Sequence, residues 1–198
     1  MAQQILNGIK VLELGQLIAG PFAAKTLADF GAHVVKVEPL GQGDPLRKWR
    51  MLHEDTSVWW EAQSRNKQSI AIDLRQREGQ DLVRKLAAEA DVLVENFRPG
   101  TMEKWGMGWD VLHAANPKLI MLRVSGYGQT GPKRDEPGFA AVAEAMSGLR
   151  YLTGEPGPPP VRAGLSLGDT IAGLHGALGV LLDRKSTHLN SSHTDISR

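Results

Sequence analysis

Asp169, in the stretch AGLSLGDTIAGL, is the residue of this sequence best placed to do chemistry. Small, flexible residues precede it, and TIAGLHGALGVLLD follows with helical spacing. The carboxylate is therefore expected at or near a helix N-terminus, where free N–H groups and the helix dipole stabilise its ionised form. One reading is an N-cap that only starts the helix. A second, compatible with the first, is a carboxylate that faces a ligand. An ionised carboxylate is a nucleophile. It is weak toward an amide or an ordinary ester, and competent toward the more electrophilic carbonyl of a thioester when both groups are held in place. These residue types permit acyl chemistry at Asp169 without demanding it.

Other chemistries find fewer supports. Cysteine is absent, which removes thiolate nucleophiles and disulfides and fits a reducing, cytoplasmic setting. There is no GxxxxGK[ST]. His33, His53, His113 and His175 show no metal-ligand spacing, so no metal site is expected. Gly126, Gly128 and Gly131 in GYGQTGP satisfy GxGxxG and follow a strand. Pro132 and KRDEPG come next, however, where a dinucleotide fingerprint needs a helix opening onto the pyrophosphate. The loop is either a plain turn or a close-approach loop at a strand's carboxyl end, where a ligand can lie.

The elements that would carry these residues alternate. IKVLEL (residues 9–14) reads as a buried strand, GQLIAGP as a loop, FAAKTLADFG as a helix with Ala23, Leu27 and Phe30 inward and Gly31 as its stop, and AHVVKVE as a second strand. Residues 49–64, with three tryptophans, read as irregular or weakly helical surface structure. A strand follows over 65–74, then a helix with Leu82, Val83, Leu86 and Ala90 on its inner side, then the strand DVLVENF. Two short helical pieces around residues 101–116 precede a strand over 119–124. A helix is expected over 140–152, an extended proline-rich segment after it, and a last helix from near Asp169. Strand and helix in repeated alternation imply a doubly wound parallel sheet.

The totals bound the partners. The chain has 198 residues and a formal charge of +1, enough for one ordinary core and with no basic patch, so nucleic acid is not an expected partner. No apolar run reaches membrane-spanning length, and MAQQILNG is not a secretory signal. The last residues, RKSTHLNSSHTDISR, change character abruptly. Residues 184–198 are expected to be a non-native or disordered tail, and the histidines in it (His188, His193) are not offered to a metal.

Taken in order, LNGIKVLELGQLIAGPFAAKTLADFGAHVVKVEPLGQGD, RNKQSIAIDL, ADVLVENFRPGTMEKWG, VSGYGQTGP and RAGLSLGDTIAG make residues 6–183 resemble the N-terminal part of the class III coenzyme A transferases, the family of formyl-CoA transferase and carnitine-type CoA transferases. The resemblance implies an α/β fold, a Rossmann-like parallel sheet with helices on both faces, as part of an interlocked homodimer. Residues 1–183 would then be a truncated large domain. The family's catalytic aspartate falls on Asp169. The implied reaction moves coenzyme A from an acyl-CoA donor to a small carboxylic acid through an aspartyl-CoA thioester, with the CoA thioester as substrate and no permanently bound cofactor.

Coenzyme A contacts carry over to Asn96 and Phe97 by identity. Arg75 and Lys104 keep a positive charge with the residue type changed, and Ile72 would pack near the adenine end. Two departures stand out. Pro39 occupies the place of an arginine in the formyl-CoA enzyme, with Arg47 as a nearby substitute charge. Ile18 replaces a glutamine, with Gln16 two residues earlier, which argues against formyl and oxalyl substrates and leaves longer or dicarboxylic acids. The α-methylacyl-CoA racemases are similar too, but their histidine partner is replaced here by Phe139. A CoA-binding module without catalysis is the third reading.

Overall fold

The computed structural model describes residues 4–192. In chain order the elements are β1 (Lys10–Glu13), α1 (Ala19–Asp29), β2 (His33–Glu38), a 3₁₀ turn (Pro45–Lys48), β3 (Leu52–His53), β4 (Thr56–Ser57), α2 (Val58–Gln63) and β5 (Lys67–Ala71). They continue with α3 (Arg77–Ala88), β6 (Val92–Glu95), α4 (Thr101–Lys104), α5 (Trp109–Ala115), β7 (Ile120–Arg123), α6 (Ala140–Met146) and α7 (Leu167–Ser192). Among the described residues no helix is long and apolar enough to cross a membrane.

Five strands form one parallel sheet in the order β5-β2-β1-β6-β7. The chain builds outward from β1 on one side, then returns to lay β6 and β7 on the other. That reversal leaves a crevice beyond the carboxyl ends of β1 and β6, the place where such sheets bind ligands. Valine and leucine dominate the central strands because both of their faces are covered. Alternate side chains leave by opposite faces. Val11, Val34, Val92 and Val94 meet Ala24, Leu27, Ala28, Ala177 and Val180, the inner surfaces of α1 and α7. Leu12, Val37 and Leu93 meet Val83, Ala87, Met102 and Leu112 on the other side. The expected two-faced, Rossmann-like arrangement is therefore present.

Several local expectations change. Helix α1 begins at Ala19, three residues before the expected run, because Pro21 is tolerated in a first turn, where its missing N–H is one of the unpaired ones. Ala23 and Leu27 are buried, but Phe30 is the cap residue and is 54% exposed. Gly31 does end the helix, with φ +104°. In α3, Val83 and Ala87 face inward while Leu82 is 46% exposed. Helix α6 stops at Met146 instead of residue 152, and Gly148, at φ +81°, follows the break. Residues 49–64 are more ordered than expected: β3 and β4 form a small hairpin, and Ser57 Oγ caps α2 by accepting the Trp59 and Trp60 N–H groups. Trp60 packs with Ile18 and Leu46 beneath the end of β1. Helical backbone continues through Ser192. Residues 193–198, the end of the expected tail, lie outside the described residues.

Candidate active site

The crevice is walled by the loops that leave the sheet. After β1, residues 15–18 turn into α1. Gln16 in this turn is held by the Asn96 side chain, whose Oδ1 accepts the Gln16 N–H at 2.8 Å while its Nδ2 donates to the Gln16 carbonyl at 2.9 Å. The two strands that flank the crevice are thus joined at their ends by one carboxamide. A Cβ on Gly15 or Gly20 would lie 3.1 to 3.5 Å from that carboxamide, so glycine permits the close approach. After β7, Gly126 lies against Gly138, where an added Cβ would come within 2.7 Å of backbone. The glycine-rich loop is thus a close-approach loop at a strand's carboxyl end.

Asp169 reaches this crevice because α7 sits unusually close to α1. A Cβ at Gly173 would lie 2.7 Å from the Ala19 carbonyl oxygen, and one at Gly176 2.9 Å from Leu122. Two glycines on one face of α7 let its backbone settle onto the start of α1 and onto β7. Asp169 is the third residue of α7, so it lies in the first turn and is not the cap. Its carboxyl, half-buried, faces a cavity of about 320 Å³ together with Ile18, Ala19, Asn96, Phe97, Gly126 and Phe139. Burial pushes the Asp169 carboxyl above its ordinary value, Arg162 and Arg50 pull it back, and Glu144 adds to the push. The first turn of a helix favours its ionised form. The result is a poorly hydrated carboxylate beside an open volume, the arrangement a nucleophile needs.

A second cavity of about 310 Å³ adjoins the first, with Gln16 and Phe97 in both walls. Leu14, Val37, Pro39, Ile72, Arg75 and Trp105 also line it. Phe97 is fixed there by an edge contact with Trp105, ring centroids 5.2 Å apart, and by its N–H bond to Glu95 Oε2 at 2.7 Å. The two cavities share the Gln16 and Phe97 wall over the ends of β1, β2 and β6.

The residues singled out from the sequence distribute over the two cavities. Asp169, Asn96 and Phe97 meet in the first cavity, and Phe97, Ile72 and Arg75 in the second. Arg75 stands at the rim, its guanidinium forked onto Asp73. Lys104 is exposed at the end of α4 and lines neither cavity. Arg47 does not supply a free charge in place of the arginine missing at Pro39. It makes two bonds to Glu38, at 2.7 and 2.9 Å, and lies 3.8 Å over the Trp60 ring. Among the described residues no three His, Asp or Glu side chains gather as for a metal ion.

Sequence reasoning missed Arg50 and Arg162, the cations that act on Asp169. It also missed Glu13, Lys36, Asp44 and Lys67, which are buried under the first cavity's wall. A lysine inside the valine-rich strand VVKVE was the available signal, since lysine is buried only when paired.

Comparison with known proteins bears on the family and the fold. The model of CoA-transferase family III matches residues 6–187. A succinyl-CoA–D-citramalate CoA-transferase from Chloroflexus aurantiacus is 56% identical over 178 residues, covering 89% of this chain and 44% of that protein. The human succinyl-CoA:glutarate CoA-transferase is 40% identical, covering 89% of this chain and 40% of that protein. The crystal structure of a CAIB/BAIF family protein from Brucella suis superposes with a TM-score of 0.88 at 38% identity, covering 94% of this chain and 51% of that one. The chain thus spans about two fifths of the length of these curated relatives. By sequence match and fold alike, it belongs to CoA-transferase family III.

Proposed function

We propose that this chain is the N-terminal part of an enzyme that moves coenzyme A from a dicarboxylic acyl-CoA, succinyl-CoA first among candidates, to a second small carboxylic acid. The observation that carries the reading is the Asp169 carboxyl, raised by burial and aimed into a cavity at the crevice of the sheet. The relatives named for succinyl-CoA support the donor class. Ile18, an apolar wall where the formyl-CoA enzyme carries an amide, fits an acyl chain longer than formyl.

In this mechanism an Asp169 oxygen attacks the donor thioester carbonyl. A C–O bond forms, the C–S bond breaks, and CoA leaves as thiolate. The thiolate then attacks the Asp169 carboxyl carbon of the mixed anhydride, forming aspartyl-CoA thioester and releasing the donor acid as carboxylate. An acceptor carboxylate repeats the two steps in reverse and departs as acyl-CoA, restoring Asp169. Thioester energy is conserved throughout. Asn96 holds the loop beside the reacting atoms. The second cavity, with Ile72, Arg75 and Phe97, takes the carrier, and Lys104 lies outside its wall for the phosphates. Residues 1–183 form the truncated large domain, and residues 184–198 are a tail of other origin. The complete enzyme works as a cytoplasmic homodimer. Phe139 at the cavity mouth offers no imidazole for the α-proton transfers of a racemase.

The test uses the full-length protein that contains this chain, with succinyl-CoA and a labelled acceptor acid. Label enters the acyl-CoA pool, hydroxylamine leaves a hydroxamate on Asp169, and Asp169→Asn abolishes both. Full turnover by Asp169→Asn refutes the mechanism. Solvent deuterium entering the α-carbon with no acceptor acid present would favour the racemase.

A further inference from the structure

Four ionisable side chains lie under the wall of the first cavity, and the exchange just described uses none of them. Glu13, Lys36, Asp44 and Lys67 have side chains no more than 2% exposed. Strand register sets Glu13 beside Lys36 and Lys67 beside Val34, so all three strand residues leave the sheet on the α1 face. Lys36 Nζ donates to Glu13 Oε1 at 2.7 Å and to the Gly15 carbonyl at 2.6 Å. It also lies 2.8 Å from Asp44 Oδ2, and Lys67 Nζ lies 2.7 Å from Glu13 Oε2, as ionic contacts without hydrogen-bond alignment. Lys67 Nζ donates to the Pro21 carbonyl at 2.8 Å. Asp44 Oδ1 accepts the N–H groups of Leu17 at 3.1 Å and Leu46 at 2.8 Å. Two cations and two carboxylates make a neutral unit. Burial pulls both lysines down. At Lys36 the two carboxylates outweigh it, and at Lys67 burial prevails.

Besides the Leu46 N–H, the backbone groups held by this unit are the Gly15 carbonyl, the Leu17 N–H and the Pro21 carbonyl. These three belong to the segment that runs from β1 into α1 and walls the cavity beside Asp169. From the other side, Asn96 grips Gln16. Between the two grips Leu17 takes φ +62°, a left-handed conformation that residues other than glycine seldom adopt and keep only where the surroundings over-determine it. A buried ion unit is poor evidence for stability, because apolar residues of similar volume often do as well. What this unit supplies that apolar residues cannot is directed bonds to three backbone groups along the β1-to-α1 connection and the first turn of α1.

We propose that Glu13, Lys36, Asp44 and Lys67 form a positioning unit that sets the Gly15–Pro21 segment against Asp169 and acts on the chemical step, with little effect on coenzyme A affinity. The proposal rests on the transferase reading for its kinetic arm alone. Two charge-neutral variants of the full-length protein test it. Lys36→Met with Asp44→Asn removes one cation and one anion, keeps an oxygen for the Leu17 and Leu46 N–H groups, and frees the Gly15 carbonyl. Lys67→Met with Glu13→Gln removes the Lys67 bond to the Pro21 carbonyl at the start of α1 and keeps an acceptor for Lys36.

Amide hydrogen exchange is expected to quicken about tenfold or more over residues 15–22 in each variant, with α3 and β6 unchanged. A wall displaced by about 1 Å is expected to lower kcat about 100-fold while KM for acyl-CoA stays within about threefold. Unchanged loop exchange, or exchange that quickens uniformly across the protein, overturns the proposal, as does a loosened loop with parental kcat. If the unmodified protein shows no CoA exchange, the transferase reading fails, and the exchange of residues 15–22 still decides whether the unit holds the loop.

Discussion

Glu38 offers the sharpest energetic test of how this crevice is built. It is the last residue of β2, lines the second cavity and is 3% exposed. Its carboxylate accepts the Asp44 N–H at 2.8 Å, two Arg47 N–H groups at 2.7 and 2.9 Å, and the Ser69 hydroxyl. Burial alone would raise its pKa. The donors outweigh burial and hold it at about 2, against an ordinary 4.5. At 1.36 kcal/mol per unit that gap corresponds to about 3 kcal/mol of folded-state preference for the ionised form. The Arg47 side chain is 36% exposed, so solvent screening reduces the figure to about 2 kcal/mol. A depressed carboxyl pKa gives stability that is fully present above 4.5 and is lost as pH falls toward 2. Glu38→Gln keeps the shape and removes the charge. It is expected to melt about 4–8 °C below the parent at pH 7, given the size of the chain. The difference should shrink as pH falls through 4.5 and be nearly gone near pH 2, where the unfolded chain's carboxyl is protonated and the folded one's is about half so. Thermal melts of both proteins across this range decide the matter. A gap of constant size would mean that Gln disturbs packing and that the charge contributes nothing. No gap at pH 7 would refute the reasoning outright.

Two further expectations follow from the site. Because burial raises the Asp169 pKa, the folded chain binds more protons than the unfolded one between the two values, so this group's contribution falls as pH rises. Asp169→Asn should therefore melt higher than the parent at pH 7 and level with it below the ordinary value of 3.8, and a parent that is more stable at pH 7 would contradict this. In α7, Gly173→Ala places a methyl 2.7 Å from the Ala19 carbonyl and is expected to cost about 1–3 kcal/mol from overpacking. Gly179→Ala, with nothing within 4 Å of the new atom, should stabilise by up to about 1 kcal/mol on helix propensity. Urea unfolding of the pair reads both, and equal effects would mean that the helix contact is not tight.

What could be read in the chain depended on how far apart the interacting residues lie. The strands β1, β2, β6 and β7 are short runs dominated by Val, Leu and Ile, and such a run needs no partner to be recognised. Gly31 and the Asp169 turn are likewise local signals. The helix α1 was misplaced by three residues because a proline and a glycine in its first turn look like loop, and Phe30 looked buried because it kept the helical period one step past the helix. Leu82 failed for the opposite reason: α3 has more apolar residues than its inner face can hold. Where a motif singled residues out, at Asp169, Asn96 and Phe97, the fold brings them to one cavity. The site was illegible where it depends on register. Residues 13, 36, 44 and 67 have no spacing that links them, and only the order β5-β2-β1 brings their charges to one point. Lys36 was the exception that could have been caught. A lysine between valines on a central strand must either reach water or be neutralised inside. With strands on both sides of β2 and α1 above it, water is out of reach, so at least one carboxylate on the same face had to exist. Glu13, two residues past Val11 on the neighbouring strand, satisfies that requirement from the sheet itself, and Asp44 satisfies it from the loop that carries Arg47 to Glu38.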